Sequence, residues 1–202
     1  MQSLTDATWH SGLQTTFKIS RQEQPQPDPP EARYYGAYNK LFSLYFDTIS
    51  PYPPHFMVAP NSPPLRLSLR NTDYPKVCFV VSDIRCRPVL VAEIKDDNWV
   101  DRADLRAEAD DRIRQWVNAV LPDCRLPRVY GLSLLGTSLR VYVGNVATAE
   151  VEPAFATCPS PGRTPPNDFL EGAWNVDILS DEGVTKMKEI VGDIVTNSLA
   201  LE

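Results

Sequence analysis

The sequence predicts a mixed α/β (α+β) domain in which a central mixed sheet is flanked by helices, with an extra helix at the carboxyl end. Three observations carry that expectation. Aromatic and aliphatic residues recur at helical spacing over 31–49, two short apolar runs flank a polar turn at 82–87, and an amphipathic segment over 105–120 precedes a second pair of apolar runs. A chain of 202 residues that is 43% hydrophobic and 23% charged has enough apolar material for one sizeable core.

The elements follow in order. Pro25, Pro27, Pro29 and Pro30 stand among glutamines, a composition that supports neither a helix interior nor a central strand. Residues 1–30 therefore read as an amino-terminal arm and proline-rich linker, and 31–200 as a single domain. Tyr34, Tyr38, Leu41, Tyr45 and Ile49 share one helical face, and the prolines just before them suit a helix start. A proline-dense loop follows, and Leu65, Leu67 and Leu69 then alternate with polar residues as a first strand. Val77–Val81 and Pro88–Lys95 form a second and third strand around the turn, and so a hairpin.

Leu105, Ala109, Ile113, Trp116, Val117 and Val120 mark the apolar face of a second helix, which should stop before Pro122. The alternating Asp104, Arg106, Glu108, Asp110, Arg112 and Arg114 read as its solvated, ion-paired side. Val129–Leu134 and Leu139–Val143 flank a Gly136-Thr137 turn as another hairpin. Residues 150–173 are proline-rich and irregular. The last helix begins after Ser180, an N-cap with Asp181 and Glu182 in the first turn.

One segment stands out chemically. In the run Val89–Lys95, strand alternation puts Glu93 and Lys95 on the same face as Val89 and Val91. Charges carried by an apolar strand need partners or solvent. An exposed strand end with solvated or paired charges is the plain reading. Two upstream acids compete to join them. In an antiparallel pair the start of one strand lies beside the end of the other, so Asp73 is the acid expected to approach Glu93 and Lys95, whereas Asp83 falls in the turn at the far end.

Asp73 and Glu93-Ile94-Lys95, set in the order helix, three strands, helix, strand, resemble the PD-(D/E)XK nuclease superfamily over about residues 31–146. The chain departs from that pattern at Asn71-Thr72-Asp73-Tyr74, where no proline precedes the acid. The stretch Tyr130–Thr137 is also similar to uncharacterised fungal proteins bearing nuclease-like domains. The resemblance implies a restriction-endonuclease-like αβββαβ core and metal-dependent hydrolysis of phosphodiester bonds in DNA, with RNA as the second choice. It assigns Asp73 and Glu93 to Mg²⁺ or Mn²⁺, hard cations that take oxygen ligands. The backbone carbonyl of Ile94 would be a further ligand, and Lys95 would position or help deprotonate the attacking water. Family members that draw an acid from the first helix point to Glu31, and the polar face of the second helix adds Glu108 and Gln115.

The alternative is a catalytically inactive nuclease-like scaffold that works as a protein- or nucleic-acid-binding effector module. A net charge of −6 fits that alternative and argues against broad, nonspecific nucleic-acid binding. A protein partner or a second copy of the chain is compatible with either reading. Trp99, soon after Lys95, reads as a core or rim aromatic, or as a base-stacking residue at the mouth of a cleft. No run reaches the roughly 20 apolar residues of a membrane span, and the amino-terminal residues lack a signal-peptide pattern. An intracellular protein of the cytoplasm or nucleus is expected.

Overall fold

The strand Pro88–Lys95 is buried at every one of its residues, which places it at the centre of the molecule. A computed structural model describes residues 11–22, 29–49, 56–60, 78–159 and 164–201. In chain order these form α1 (Ser11–Gln22), a 3-10 turn (Pro30–Tyr34), α2 (Tyr35–Ile49), β1 (Phe56–Pro60), β2 (Cys78–Asp83), β3 (Pro88–Lys95), α3 (Ala103–Val120), β4 (Arg128–Leu135), β5 (Ser138–Asn145), the short β6 (Val151–Glu152) and β7 (Val176–Asp177), and α4 (Asp181–Leu199).

The strands form one seven-stranded mixed sheet in the order β1-β2-β3-β4-β5-β6, with β7 pairing β5. All pairings are antiparallel except β3 with β4. A parallel neighbour needs a crossover, and α3 supplies it. Directly paired residues share a face, so the register places Val91, Glu93 and Lys95 on the same side as Gly131, Ser133 and Leu135. That side carries α3. The opposite side, with Phe79, Ala92, Leu132 and Leu134, packs against α2 and α4, and Phe42 of α2 meets Phe79 with ring centroids 5.4 Å apart.

The closeness of α3 to the sheet depends on two glycines. A Cβ on Gly131 would run into the Val117 side chain, and one on Gly144 would lie 2.7 Å from it. No alanine fits under the helix without a shift.

Several sequence expectations hold in outline. The helix at 31–49, the hairpin of β2 and β3, the end of α3 before Pro122 and the β4–β5 hairpin are all present. Ser180 caps α4, its Oγ accepting from the Gly183 backbone N–H at 3.1 Å. Three segments differ. Residues 11–22, read as part of an arm, form α1, because Leu13, Phe17 and Ser20 lie on one helical face and are buried, with the Phe17 ring edge-on to Tyr38 at 4.9 Å. β1 lies in the stretch read as a proline-dense loop, with Phe56 turned inward onto Phe46. The strand expected at 65–69 lies outside the described residues.

The third difference concerns the charged side of α3, expected to be solvated. Arg106, Asp110 and Arg114 are buried. The irregular stretch after β6 covers them: Arg106 donates to the carbonyls of Asn167 and Phe169, besides that of Val100 just before α3, and Arg114 to that of Ala154. Among the described residues no helix is long and apolar enough to cross a membrane.

Replacing Gly131 with Ala should lower the unfolding free energy by about 1–3 kcal/mol, because the added methyl overpacks the α3 contact. The fall is read as a lower urea midpoint at unchanged m-value. A midpoint equal to that of the wild type would show that α3 has room to spare.

Candidate functional site

Glu93 and Lys95 sit at the carboxyl end of β3 on the α3 side, and they are buried, with only 1% and 6% of their surface exposed. The strand end is therefore neither exposed nor solvated, and of the plain reading only the pairing of its charges holds. Two covered faces of β3 leave these charges little access to bulk water, so they must meet partners.

Lys95 Nζ donates to Glu31 Oε1 at 3.2 Å and stands 4.0 Å from Glu93 Oε1. Glu31 reaches it from the 3-10 turn that leads into α2 and is itself 8% exposed. The Trp99 ring closes the other side, with Nζ 4.8 Å from its centroid, a distance at which the ring's negative face attracts the cation. Trp99 is half-buried at the rim, packed with Leu170, Ala173 and Trp174.

Glu93 faces Arg112 of α3, whose Nε is 2.7 Å from Glu93 Oε1. The two form a buried ion pair, and by strict alignment neither Glu93 oxygen receives a hydrogen bond among the described residues. Arg112 Nη1 donates to Glu108 Oε1 at 2.9 Å, one turn earlier on the same helix. Arg112 Nη2 and the Tyr35 hydroxyl are also buried without a hydrogen-bond partner among the described residues. Burial holds the Glu93 carboxyl at about 7, the nearby Arg112 and Lys95 charges pulling the other way. Burial likewise raises the Tyr35 phenol, and the Glu31 and Glu93 charges add to that rise. Tyr35 thus feels both carboxylates.

A second ionic cluster braces the first. Arg33 Nη2 is 2.8 Å from Asp96 Oδ2 and 2.9 Å from Asp97 Oδ2, while the Tyr34 hydroxyl donates to Asp97. Arg21 of α1 donates to Thr137 Oγ1 at 2.7 Å and pairs with Asp97 at 3.3 Å. Asp96 also accepts from the Asn98 N–H and so starts the 3-10 turn that carries Trp99. These two aspartates neither join Glu93 nor simply end the strand; they tie the segment after β3 to α1 and to the turn bearing Glu31.

The other sequence candidates fall in different places. Asp83 is five residues from Cys78 along β2, roughly 17 Å at strand rise, and Cys78 is the residue paired with Glu93. Its carboxylate accepts from the N–H groups of Arg85 and Arg87 and from Arg87 Nε at 2.6 Å, so it shapes the hairpin turn and is removed from the site. Glu108 reaches the cluster only through Arg112. Gln115 is exposed, about two turns along α3 from Glu108. Ile94 points its side chain to the opposite, fully buried face. Asp73 lies outside the described residues, among which no group of three or more His, Cys, Asp or Glu is arranged to hold a metal ion.

Arg112 and Tyr35 were missed as site residues. Arg112 has a local signal, the i, i+4 spacing from Glu108, but that spacing also describes an ordinary surface pair. Its contact with Glu93 exists only because α3 crosses over β3. Comparison with protein-family models, with curated proteins and with solved structures gave no match.

The raised Glu93 pKa has a stability consequence that does not depend on activity. The folded carboxyl binds its proton up to about pH 7, while the unfolded one releases it near 4.5, so stability falls as pH rises through this window. Glu93→Gln mimics the protonated form and should gain relative to the wild type by up to about 3 kcal/mol between pH 4 and pH 8. Urea melts in chelator at several pH values measure this. A difference between the two proteins that stays constant with pH would mean that Glu93 is not held protonated by burial.

Proposed function

We propose that this protein is a metal-dependent phosphodiesterase of the PD-(D/E)XK type, acting on DNA in preference to RNA. One observation supports this most: Glu93, Lys95 and Glu31 meet in a buried cluster where β3 ends beside the start of β2. The order α2-β1-β2-β3-α3-β4 agrees with the αβββαβ core that the sequence resemblance implies, and β3 and β4 run parallel around α3. The acidic chain favours contact through a local site over a broad basic surface.

The donor set suits a hard divalent cation in one respect that can be tested on the residues present. Glu93 offers a buried carboxylate whose Oε1 is paired with Arg112 at 2.7 Å and whose oxygens receive no well-aligned hydrogen bond among the described residues, so hard oxygen donors stand there with bonding capacity unused. In this reading Glu93 holds Mg²⁺ or Mn²⁺, with Asp73 and the Ile94 carbonyl as the further ligands that the resemblance names. When bound, the ion makes a ligated water more acidic and offsets charge on the phosphate.

The chain's own groups do the remaining work. Lys95, oriented by Glu31 and the Trp99 ring, presents its Nζ beside the carboxylate, where it can hold a water by hydrogen bond and face a phosphate oxygen. Glu31 takes the part of the acid from the first helix: it anchors Lys95. The half-buried Trp99 at the rim offers an aromatic edge to an unstacked base. Burial under α3 keeps bulk water from competing for these contacts.

Incubating the purified chain with plasmid, linear duplex, single-stranded DNA and RNA in Mg²⁺ or Mn²⁺ should give cleavage that chelator abolishes. Lys95→Ala should lower the rate by a factor of about 10²–10⁴, the usual worth of a positioned proton-transfer group. Asp73→Ala should also lose activity, and Asp83→Ala should retain it if the hairpin folds. Equal cutting by wild type and Lys95→Ala would end the catalytic reading. Binding of nucleic acid or protein without any cutting would put the inactive scaffold in its place.

A further inference from the structure

Arg112 touches two carboxylates of unequal depth. Its Nε is 2.7 Å from Glu93 Oε1, and Glu93 is 1% exposed; its Nη1 donates at 2.9 Å to Glu108, whose side chain is 48% exposed. The Arg112 side chain itself is 19% exposed and so lies between them. We infer that Arg112 is an internal cation that occupies the Glu93 carboxylate and must withdraw toward Glu108 before a divalent ion can be held there. This rests on the metal-dependent reading of Glu93 given above.

Three features support it. At 2.7 Å the guanidinium stands as close to the carboxylate as a directly contacting cation does, and a dication sharing that oxygen would repel it strongly in a water-poor setting. The guanidinium is also incompletely bonded. Arg112 Nη2 is buried without a hydrogen-bond partner among the described residues, so part of the guanidinium's bonding capacity is unused where it stands. Finally, withdrawal has a destination. Glu108 is four residues earlier on α3, already bonded to Nη1 and open to water, so the side chain can pivot about an existing bond. Lys95 is not the competitor, because its hydrogen bond goes to Glu31 and its Nζ is 4.0 Å from Glu93.

Arg112 thus acts on the site through charge, as a gate between two carboxylates, and Glu108 favours the open position. The two residues should have opposite effects on metal affinity. The effect of Glu108 should also vanish once Arg112 is neutral.

Mn²⁺ titration calorimetry on the full chain tests this, with the fold of each variant checked by circular dichroism. Arg112→Met keeps the aliphatic stem and removes the charge; it should tighten Mn²⁺ binding by about tenfold, as loss of an adjacent unit charge predicts. Glu108→Gln should weaken binding several-fold in the wild-type background and leave the Arg112→Met protein unchanged, a coupling that general loss of negative charge does not produce. Equal or weaker binding by Arg112→Met, or an equal effect of Glu108→Gln in both backgrounds, overturns the gate. If Arg112→Met fails to fold, Arg112→Gln takes its place in the same comparison. A Glu93→Gln control separates the two levels. If it binds Mn²⁺ as the wild type does, the metal reading of Glu93 falls and the gate with it; if Glu93-dependent binding is indifferent to Arg112, the gate alone is wrong.

Discussion

Strand β3 is covered on both faces along its whole length, and most of the molecule's polar architecture follows from that. A strand sealed between α3 on one side and α2 and α4 on the other is cheap to bury while it carries Val, Leu and Ala, and expensive once it carries Glu93 and Lys95. The chain does not avoid the cost by turning these side chains outward, since alternation puts them under α3. It surrounds them with charge and with a ring: Arg112 on Glu93, Glu31 and Trp99 on Lys95. Buried ion pairs of this kind are weak evidence for stability, because the attraction must first repay desolvation.

Placing those partners requires the chain to come back to one end of the sheet several times. Glu31 arrives from the 3-10 turn before α2, Trp99 from the 3-10 turn after β3, and Arg112 from the crossover helix. The Asp96–Asp97 cluster holds the first two in register, with Arg33, Tyr34 and Arg21 converging on it. Gly136 belongs to the same brace: it sits at φ +60, a Cβ there would collide with Asp97, and its carbonyl accepts from the Tyr38 hydroxyl at 2.6 Å. α1 is therefore part of the support for the site, since Arg21 spans from it to Thr137 and Asp97.

A second buried polar group lies further across the same face of the sheet. Asp110 of α3 meets Arg114 at 2.7 Å, Arg140 at 3.1 Å and the Tyr142 hydroxyl at 2.7 Å, and Arg140 lies against both the Tyr142 and Trp174 rings. Ser133, one strand over from Glu93 in the register, accepts from Trp174 Nε1 at 3.1 Å. Polar residues thus continue from Glu93 through Ser133 to Arg140 beneath α3. The segment after β6 covers the distal end and leaves the Lys95 end bordered by the half-buried Trp99. The two ends of this polar row thus differ, one covered by chain and the other bordered by a half-buried ring.

Short-range patterns in the chain set the local elements and the pairing that brings β2 to β3. Helical spacing, strand alternation, the Ser180 cap and the turn before Pro88 are all set by neighbours a few residues apart, and so the face shared by Glu93 and Lys95 was legible, as was Glu31 at the head of the first helix. Burial was not. Whether the charges of α3 meet water depends on the stretch after β6 folding back over Arg106 and Arg114, and nothing in the local spacing encodes that return. Helix α1 was hidden because the proline- and glutamine-rich stretch that follows it set the reading of the whole amino-terminal segment, while its three inward residues are buried only by the packed fold. Arg112 joins Glu93 across 19 residues of sequence only because Gly131 and Gly144 let the crossover helix settle onto the sheet. Local physics placed the acids and the lysine, whereas their depth, their partners and the raised proton affinity of Glu93 arise from layers of the fold closing over a strand, which is a property of the packed whole.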